Sequence, residues 1–225
     1  MTDHFFLVLE GLDGSGKSEL SRRLAAHISE TIGAERVLLT FEPRNEMAAG
    51  EFCRDVLGKR IKVSMRTLAL GFALNRADHN ERMIAPFLDG GERRVVICDR
   101  YYMSSLVYQS SGGLSIDDVM ELNQSAPPPD LTLFLDASPE TSYDRISARQ
   151  LKLGFADREL FEERLVETRA KYLTVIDYLR KRGEQIEHVD ANGTRLDVLN
   201  GMIAVLNQRA PDWLRLERLE HLETA

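Results

Sequence analysis

The chain has 225 residues, 43% of them hydrophobic and 29% charged, so it can bury a core and reads as one globular domain. Its net charge of -7 works against a general nucleic-acid or membrane-surface role, because those polyanionic partners would repel it on average. Cys53 and Cys98 are too few for a disulfide frame or a zinc site; with no bilayer-length apolar run and no signal-peptide pattern, a reduced, cytoplasmic protein is expected.

The first element is "FFLVLE" (5–10), nearly all apolar, as in a strand buried on both faces. After Lys17, the residues Leu20, Leu24, Ile28 and Ile32 recur every fourth position and predict a helix. "RVLLTF" (36–41) and "RVVICD" (94–99) predict the second and third strands. "YQSSGGLS" (108–115) has turn composition and leads to a helix capped near Ser115. The prolines of "APPPD" (126–130) stop that helix and stiffen the approach to a fourth strand, "LTLFLD" (131–136).

Leu165, Tyr172, Ile176 and Leu179 mark a long helix over 159–182. "RQLKLGFADRE" (149–159) precedes it, with Gly154 as a hinge in a lid spanning about 147–160. "IEHVD" (186–190) is the fifth strand. Strands alternating with helices predict an α/β, three-layer fold with a mostly parallel five-stranded sheet flanked by helices, and Gly11, Gly16, Lys17 and Ser18 after the first strand make it one of the P-loop NTPase type. The domain is expected to span 1–210, and "PDWLRLERLEHLETA" (211–225) to add an amphipathic C-terminal helix capped by Asp212.

Between the first strand and the first helix, Gly11, Gly16, Lys17 and Ser18 fit G-x-x-x-x-G-K-[ST], with Leu12, Asp13, Gly14 and Ser15 between them. Glycines let successive N–H groups converge on one anion, and the helix N-terminus adds partial positive charge. Lys17 supplies a full charge and the Ser18 hydroxyl can ligate Mg2+, so these eight residues are expected to hold the phosphates of a nucleoside triphosphate. Asp99, ending the third strand, can hold a magnesium-bound water or orient Arg100.

A guanine-nucleotide switch would show N-K-x-D, which is absent, and "SSGG" (110–113) is too short for a transport-ATPase signature. Arg44, Arg76, Arg100, Arg149 and Arg158 follow strands or flank the glycine-broken loop, a pattern expected of a second phosphate site facing the first.

The run I-C-D-R-Y-x-x-S-S-x-V-Y-Q (97–109) resembles the signature of the thymidylate kinases. "FEPRN" (41–45), "LGFALNRADH" (70–79), "DLTLFLD" (130–136) and "ARQLKLGFADRELFEERLVETRAKYL" (148–173) are similar to further segments of that family in the same order. The resemblance runs from the phosphate loop to about residue 205.

It implies that Phe72 stacks on thymine, Arg76 donates to a base oxygen, and Ser105 or Gln109 serves the remaining base edge, with Ser104 beside them. It also implies that Tyr108 lies where a ribose 2'-hydroxyl would project, and that Arg44 and Arg100 hold the phosphate of dTMP. Asp13 would sit near the sugar or the metal, and Arg149 and Arg158 would act from the lid. The implied function is ATP-dependent phosphorylation of dTMP by a homodimer. Two alternatives are a kinase for dUMP or dCMP and a non-catalytic nucleotide-binding regulator. "PRNEM" lacks the glycine pair common in bacterial members, and no arginine stands among the variable positions of the phosphate loop, so that charge is expected to come from Arg149 and Arg158.

Overall fold

The computed structural model describes residues 3–149 and 158–222. Strands β1 (His4–Gly11), β2 (Val37–Phe41), β3 (Arg94–Asp99), β4 (Leu131–Asp136) and β5 (Ile186–Asp190) form one sheet in the order β2-β3-β1-β4-β5. Every pairing is parallel. Parallel neighbours need crossovers, and these are helical, which places helices on both faces. The helices are α1 (Lys17–Ile32), α2 (Gly50–Leu57), α3 (Met65–His79), α4 (Ala85–Asp89), α5 (Tyr102–Gln109), α6 (Ile116–Leu122), α7 (Pro139–Arg149), α8 (Arg158–Lys181) and α9 (Arg195–Arg209). A π-helical turn, Asn80–Ile84, joins α3 to α4.

Alternation along the strands divides the core. Phe5, Leu7 and Leu9 of β1 face one way and pack with Leu24 and Ile28 of α1 and Leu199 and Met202 of α9. Phe6 and Val8 face the other way, toward Leu106 of α5 and Tyr172 and Ile176 of α8. The five strands follow the sequence expectation to within a residue, because continuous apolar runs are what a doubly covered parallel sheet requires.

The carboxyl ends of the strands line up. Leu9 and Phe41 both pair with Asp99, and Gly11 pairs with Leu135. Segments leaving β1, β2 and β3 therefore converge on one edge, where open parallel sheets bind ligands.

The expected C-terminal helix is not formed: residues 211–222 contain turns and irregular backbone. Leu214 and Leu216, two positions apart, are both buried in the α1/α9 layer, a spacing that an extended chain satisfies and a helix does not. Asn207 accepts from the Leu216 N–H at 2.9 Å and donates to its carbonyl at 2.8 Å. Asn200 treats Leu219 in the same way, at 2.9 and 3.0 Å. These side-chain amides, one on each side of two turns of α9, replace the backbone bonds a helix would have made.

Candidate active site

Gly11, Gly14 and Gly16 all have positive φ, at 151°, 84° and 96°. A Cβ on Gly11 would lie 2.7 Å from the Leu135 carbonyl oxygen, and one on Gly14 would collide with the Ser142 carbonyl, so the loop is confined between β4 and α7 as well as sharply turned. It ends as the N-cap of the 16-residue α1, whose free N–H groups and dipole favour an anion. A cavity of about 280 Å³ opens there, lined by Asp13, Gly14, Gly16, Lys17, Ser18, Asp99, Arg100 and Ile146.

Lys17 is buried and donates through Nζ to the carbonyls of Gly11 and Leu12, both at 2.8 Å. Burial, reinforced by the nearby Arg100 charge, lowers its pKa to about 8 against the opposing pull of Asp99 and Asp13. Ser18 Oγ donates to Asp99 Oδ2 at 2.5 Å. Asp99 Oδ1 is buried and has no partner among the described residues. A hydroxyl beside a carboxylate with an unused oxygen is an all-oxygen donor set of the kind Mg2+ takes, so these residues fit that ion.

Arg100 leaves β3 with φ 70° and points back across the sheet edge. Its guanidinium pairs with Asp13 of the phosphate loop and donates to Ser104 Oγ at 2.9 Å and Tyr172 OH at 3.2 Å. Asp13 and Arg100 line both the phosphate cavity and a second cavity of about 420 Å³. Phe72, Arg76, Tyr101, Ser104, Ser105, Tyr108 and Gln109 line this second cavity as well. It is aromatic-walled with a few polar groups at its floor, which is how a flat heterocycle is enclosed. Ser105 Oγ and Gln109 Oε1 are buried there without a partner among the described residues.

Arg76 is fully buried, and its plane is set from two sides. Nε donates to Glu42 Oε2 at 2.7 Å, and Nη1 donates to Asn123 Oδ1. His79 completes the brace, with Nδ1 3.1 Å from Glu42 Oε1 and Nε2 2.8 Å from Thr40 Oγ1. Glu42, His79 and Cys98 bring ligand-type atoms within 4.8 Å of one another, but the histidine nitrogens are engaged and the Cys98 thiol donates to the Arg100 carbonyl at 3.0 Å. Burial also pushes the Cys98 pKa well above its ordinary value, which keeps the thiol protonated; the cluster is a hydrogen-bonded support.

Asp13, Gly14, Gly16, Lys17, Ser18, Asp99 and Arg100 gather at the first cavity. Gly11, Leu12 and Ser15 shape the loop from beneath it: Leu12 lies in the apolar layer, its carbonyl holds Lys17, and the Ser15 N–H donates to that carbonyl. Arg44 does not reach either cavity; it pairs with Glu46 at 3.2 Å and lies over the Phe41 ring. A third cavity, beside the first two, is lined by Arg22 and Arg54 together with Ser18, Pro43, Asp99 and Arg100; of its arginines Arg54, on α2, is the nearest in sequence to Arg44. A turn of α2 separates it from "FEPRN", so proximity in sequence gave no signal for it. Glu10, Glu42 and Asn123 also went unread, since each acts on another side chain. The side chains of Arg149 and Arg158, and Gly154, lie outside the described residues.

A phosphate-binding loop at the end of the central strand, and a second, aromatic-lined cavity sharing an ion pair with it, define a nucleoside monophosphate kinase of P-loop fold. Comparison with known proteins narrows the class. The family model "Thymidylate kinase" matches residues 9–199. A protein named "Probable thymidylate kinase" from Pyrococcus abyssi is 41% identical over 150 residues, 64% of this chain and 71% of the relative. The "Thymidylate kinase" of Mesomycoplasma hyopneumoniae is 33% identical over 216 residues, 92% and 99% of the two chains. The crystal structure of thymidylate kinase from Ehrlichia chaffeensis superposes with a TM-score of 0.67 at 26% identity, covering 90% of this chain and 98% of that one. The chain belongs to the thymidylate kinase family.

Proposed function

We propose that the chain transfers the γ-phosphoryl group of ATP to dTMP, giving dTDP and ADP. The observation that carries this reading is the pair of cavities joined at Asp13 and Arg100, one ending in the phosphate loop and the other fitting a flat base. An oxygen of the acceptor phosphate forms a bond to the γ-phosphorus as the bond between that phosphorus and the β–γ bridging oxygen breaks, and ADP leaves with the bridging oxygen. The protein supplies position and charge for this step.

In this reading Lys17 and the N–H groups at the start of α1 hold the ATP phosphates, and Arg100 holds the acceptor phosphate between the two cavities. Arg54 takes the place expected of Arg44, because it lines the third cavity with Asp99 and Arg100. Ser18 and Asp99 would hold Mg2+. That ion, when bound, neutralises phosphate charge. Arg149 and Arg158 add charge from the lid.

Base choice follows from hydrogen-bond polarity. Thymine presents an O4 acceptor next to an N3–H donor. Arg76 is a fixed donor and Gln109 Oε1 is an unused buried acceptor, which matches that order. Cytosine presents the reverse order and would leave buried groups unpaired. Phe72 supplies the stacking face. Leu70 and Leu74, exposed and one turn apart on α3, support the expectation of a homodimer. No helix among the described residues is long and apolar enough to cross a membrane, in keeping with the expected cytoplasmic setting.

A coupled assay for ADP, with ATP and dTMP supplied together, tests the proposal. ADP release above the ATP-only control is expected, and its absence from folded protein would refute the reading.

A further inference from the structure

We propose that Glu10 is a positioning residue for phosphoryl transfer: from the strand beneath the phosphate loop it caps α5 and orients the Arg100 guanidinium through the hydroxyls of Ser104 and Tyr172. The inference rests on the function proposed above and adds to it the reason Arg100 stands where the two cavities meet.

Glu10 is completely buried at the end of β1, yet Arg100 is not its direct partner. Its Oε1 accepts from the backbone N–H groups of Tyr101 at 2.9 Å and Ser104 at 3.0 Å. These are the N-cap and third residues of α5, a helix whose own N-cap side chain makes no capping bond. A carboxylate from β1 thus does from a distance what a neighbouring Asp or Ser does at an ordinary helix start. The turn it secures contains Arg100 in the left-handed region, a conformation a non-glycine residue holds only when its surroundings fix it. Further restraints come from the Arg100 N–H, which donates to the Leu9 carbonyl at 3.0 Å, and from the Cys98 thiol on the Arg100 carbonyl.

The other oxygen, Oε2, controls the side chain. It accepts from Ser104 Oγ at 2.7 Å and from Tyr172 OH at 3.1 Å. Each hydroxyl has one proton, and an ionised carboxylate accepts and never donates. Once both protons point at Glu10, both hydroxyls turn lone pairs toward Arg100 Nη1, which lies 2.9 Å from Ser104 Oγ and 3.2 Å from Tyr172 OH. Glutamine at position 10 would put an NH2 group in one of the two oxygen places, where it would either compete for those lone pairs or face the α5 N–H groups and repel them. Negative charge at this position therefore sets the direction of two hydroxyls, and they in turn set the plane of the guanidinium.

The test is a double-mutant cycle on Tyr172→Phe and Arg100→Lys, with kcat and KM measured for dTMP and ATP. Tyr172→Phe should lower kcat/KM for dTMP about tenfold, with KM for ATP unchanged within about twofold, and should cost less than about threefold in the Arg100→Lys background. Glu10→Gln should lose roughly 100-fold; if that protein does not fold, the cycle on Tyr172 decides alone. A neutral Tyr172→Phe, or a full tenfold loss persisting with Lys at position 100, overturns the proposal.

A second readout does not depend on dTMP. Phenylglyoxal labelling of Arg100, followed by peptide mass spectrometry, should be several-fold faster in Tyr172→Phe, and an unchanged rate overturns the network. A wild-type protein inactive on dTMP with faster labelling in the variant would sink the functional reading alone. An active wild type with an additive cycle would sink only the role of Glu10.

Discussion

Ser18 Oγ and Asp99 Oδ2 lie 2.5 Å apart, so the first turn of α1 and the last residue of β3 meet at the wall of the phosphate cavity. Because Asp99 Oδ1 is buried without a partner, the pair has one oxygen to spare for an ion or its water. Asp99→Asn keeps the shape and removes the charge. It should raise the Mg2+ concentration giving half-maximal rate by about 10-fold to 100-fold, as measured by titrating Mg2+ at fixed total ATP. An unaltered midpoint would remove Asp99 from the metal site.

Lys17 gives a pH dependence with a defined sign. Its pKa in the free protein is lowered to about 8, mainly by burial and then by Arg100. Bound phosphates favour the ammonium form, so ATP binding takes up a proton above that pH, and apparent affinity falls as pH rises. On this basis kcat/KM for ATP declines above about pH 8, while kcat at saturating ATP holds to higher pH. A kcat/KM profile flat to pH 9.5 would contradict it.

The strands and the phosphate loop were legible in the sequence because each rests on local chemistry: β-length apolar runs, and glycines followed by Lys17 and Ser18. Family likeness gathered Phe72, Tyr108 and Gln109 into one expected base site, and all three line the second cavity. Three features were not legible. Arg54 reaches the third cavity because of how α2 is oriented, which no spacing encodes. Glu10 resembles any other strand-end residue until α5 and α8 fold over it. The tail carries leucines at positions 214, 216, 219 and 222, which suit neither period cleanly, and Asn200 and Asn207 decide in favour of non-helical chain.

Arg76 yields a stability prediction. It and Glu42 are almost fully excluded from solvent, and Nε lies 2.7 Å from the carboxylate. Arg76→Met leaves Glu42 charged and buried, which should cost about 3–5 kcal/mol in urea unfolding. Adding Glu42→Gln should restore much of that loss. A single variant as stable as wild type would mean that the pair is not the support described above.

Tyr108 is 38% exposed, stands edge-on to Tyr172 with ring centroids 6.2 Å apart, and borders the second cavity. If it excludes a 2'-hydroxyl, Tyr108→Ala should narrow the preference for dTMP over its ribose analogue by about tenfold in kcat/KM while lowering both values. A preserved ratio would reduce Tyr108 to a packing role.

On the proposed function, Arg76 and Gln109 read the base of dTMP while Arg100 presents its phosphate to ATP. The most direct measurement is kcat/KM for dTMP, dUMP, dCMP and dGMP with ATP in one coupled assay. dTMP should be best, and dUMP lower by roughly 10-fold to 100-fold, because a missing methyl is worth only about 1–3 kcal/mol. dCMP and dGMP should be turned over hardly at all. Equal or better kcat/KM for dCMP or dGMP would contradict the account.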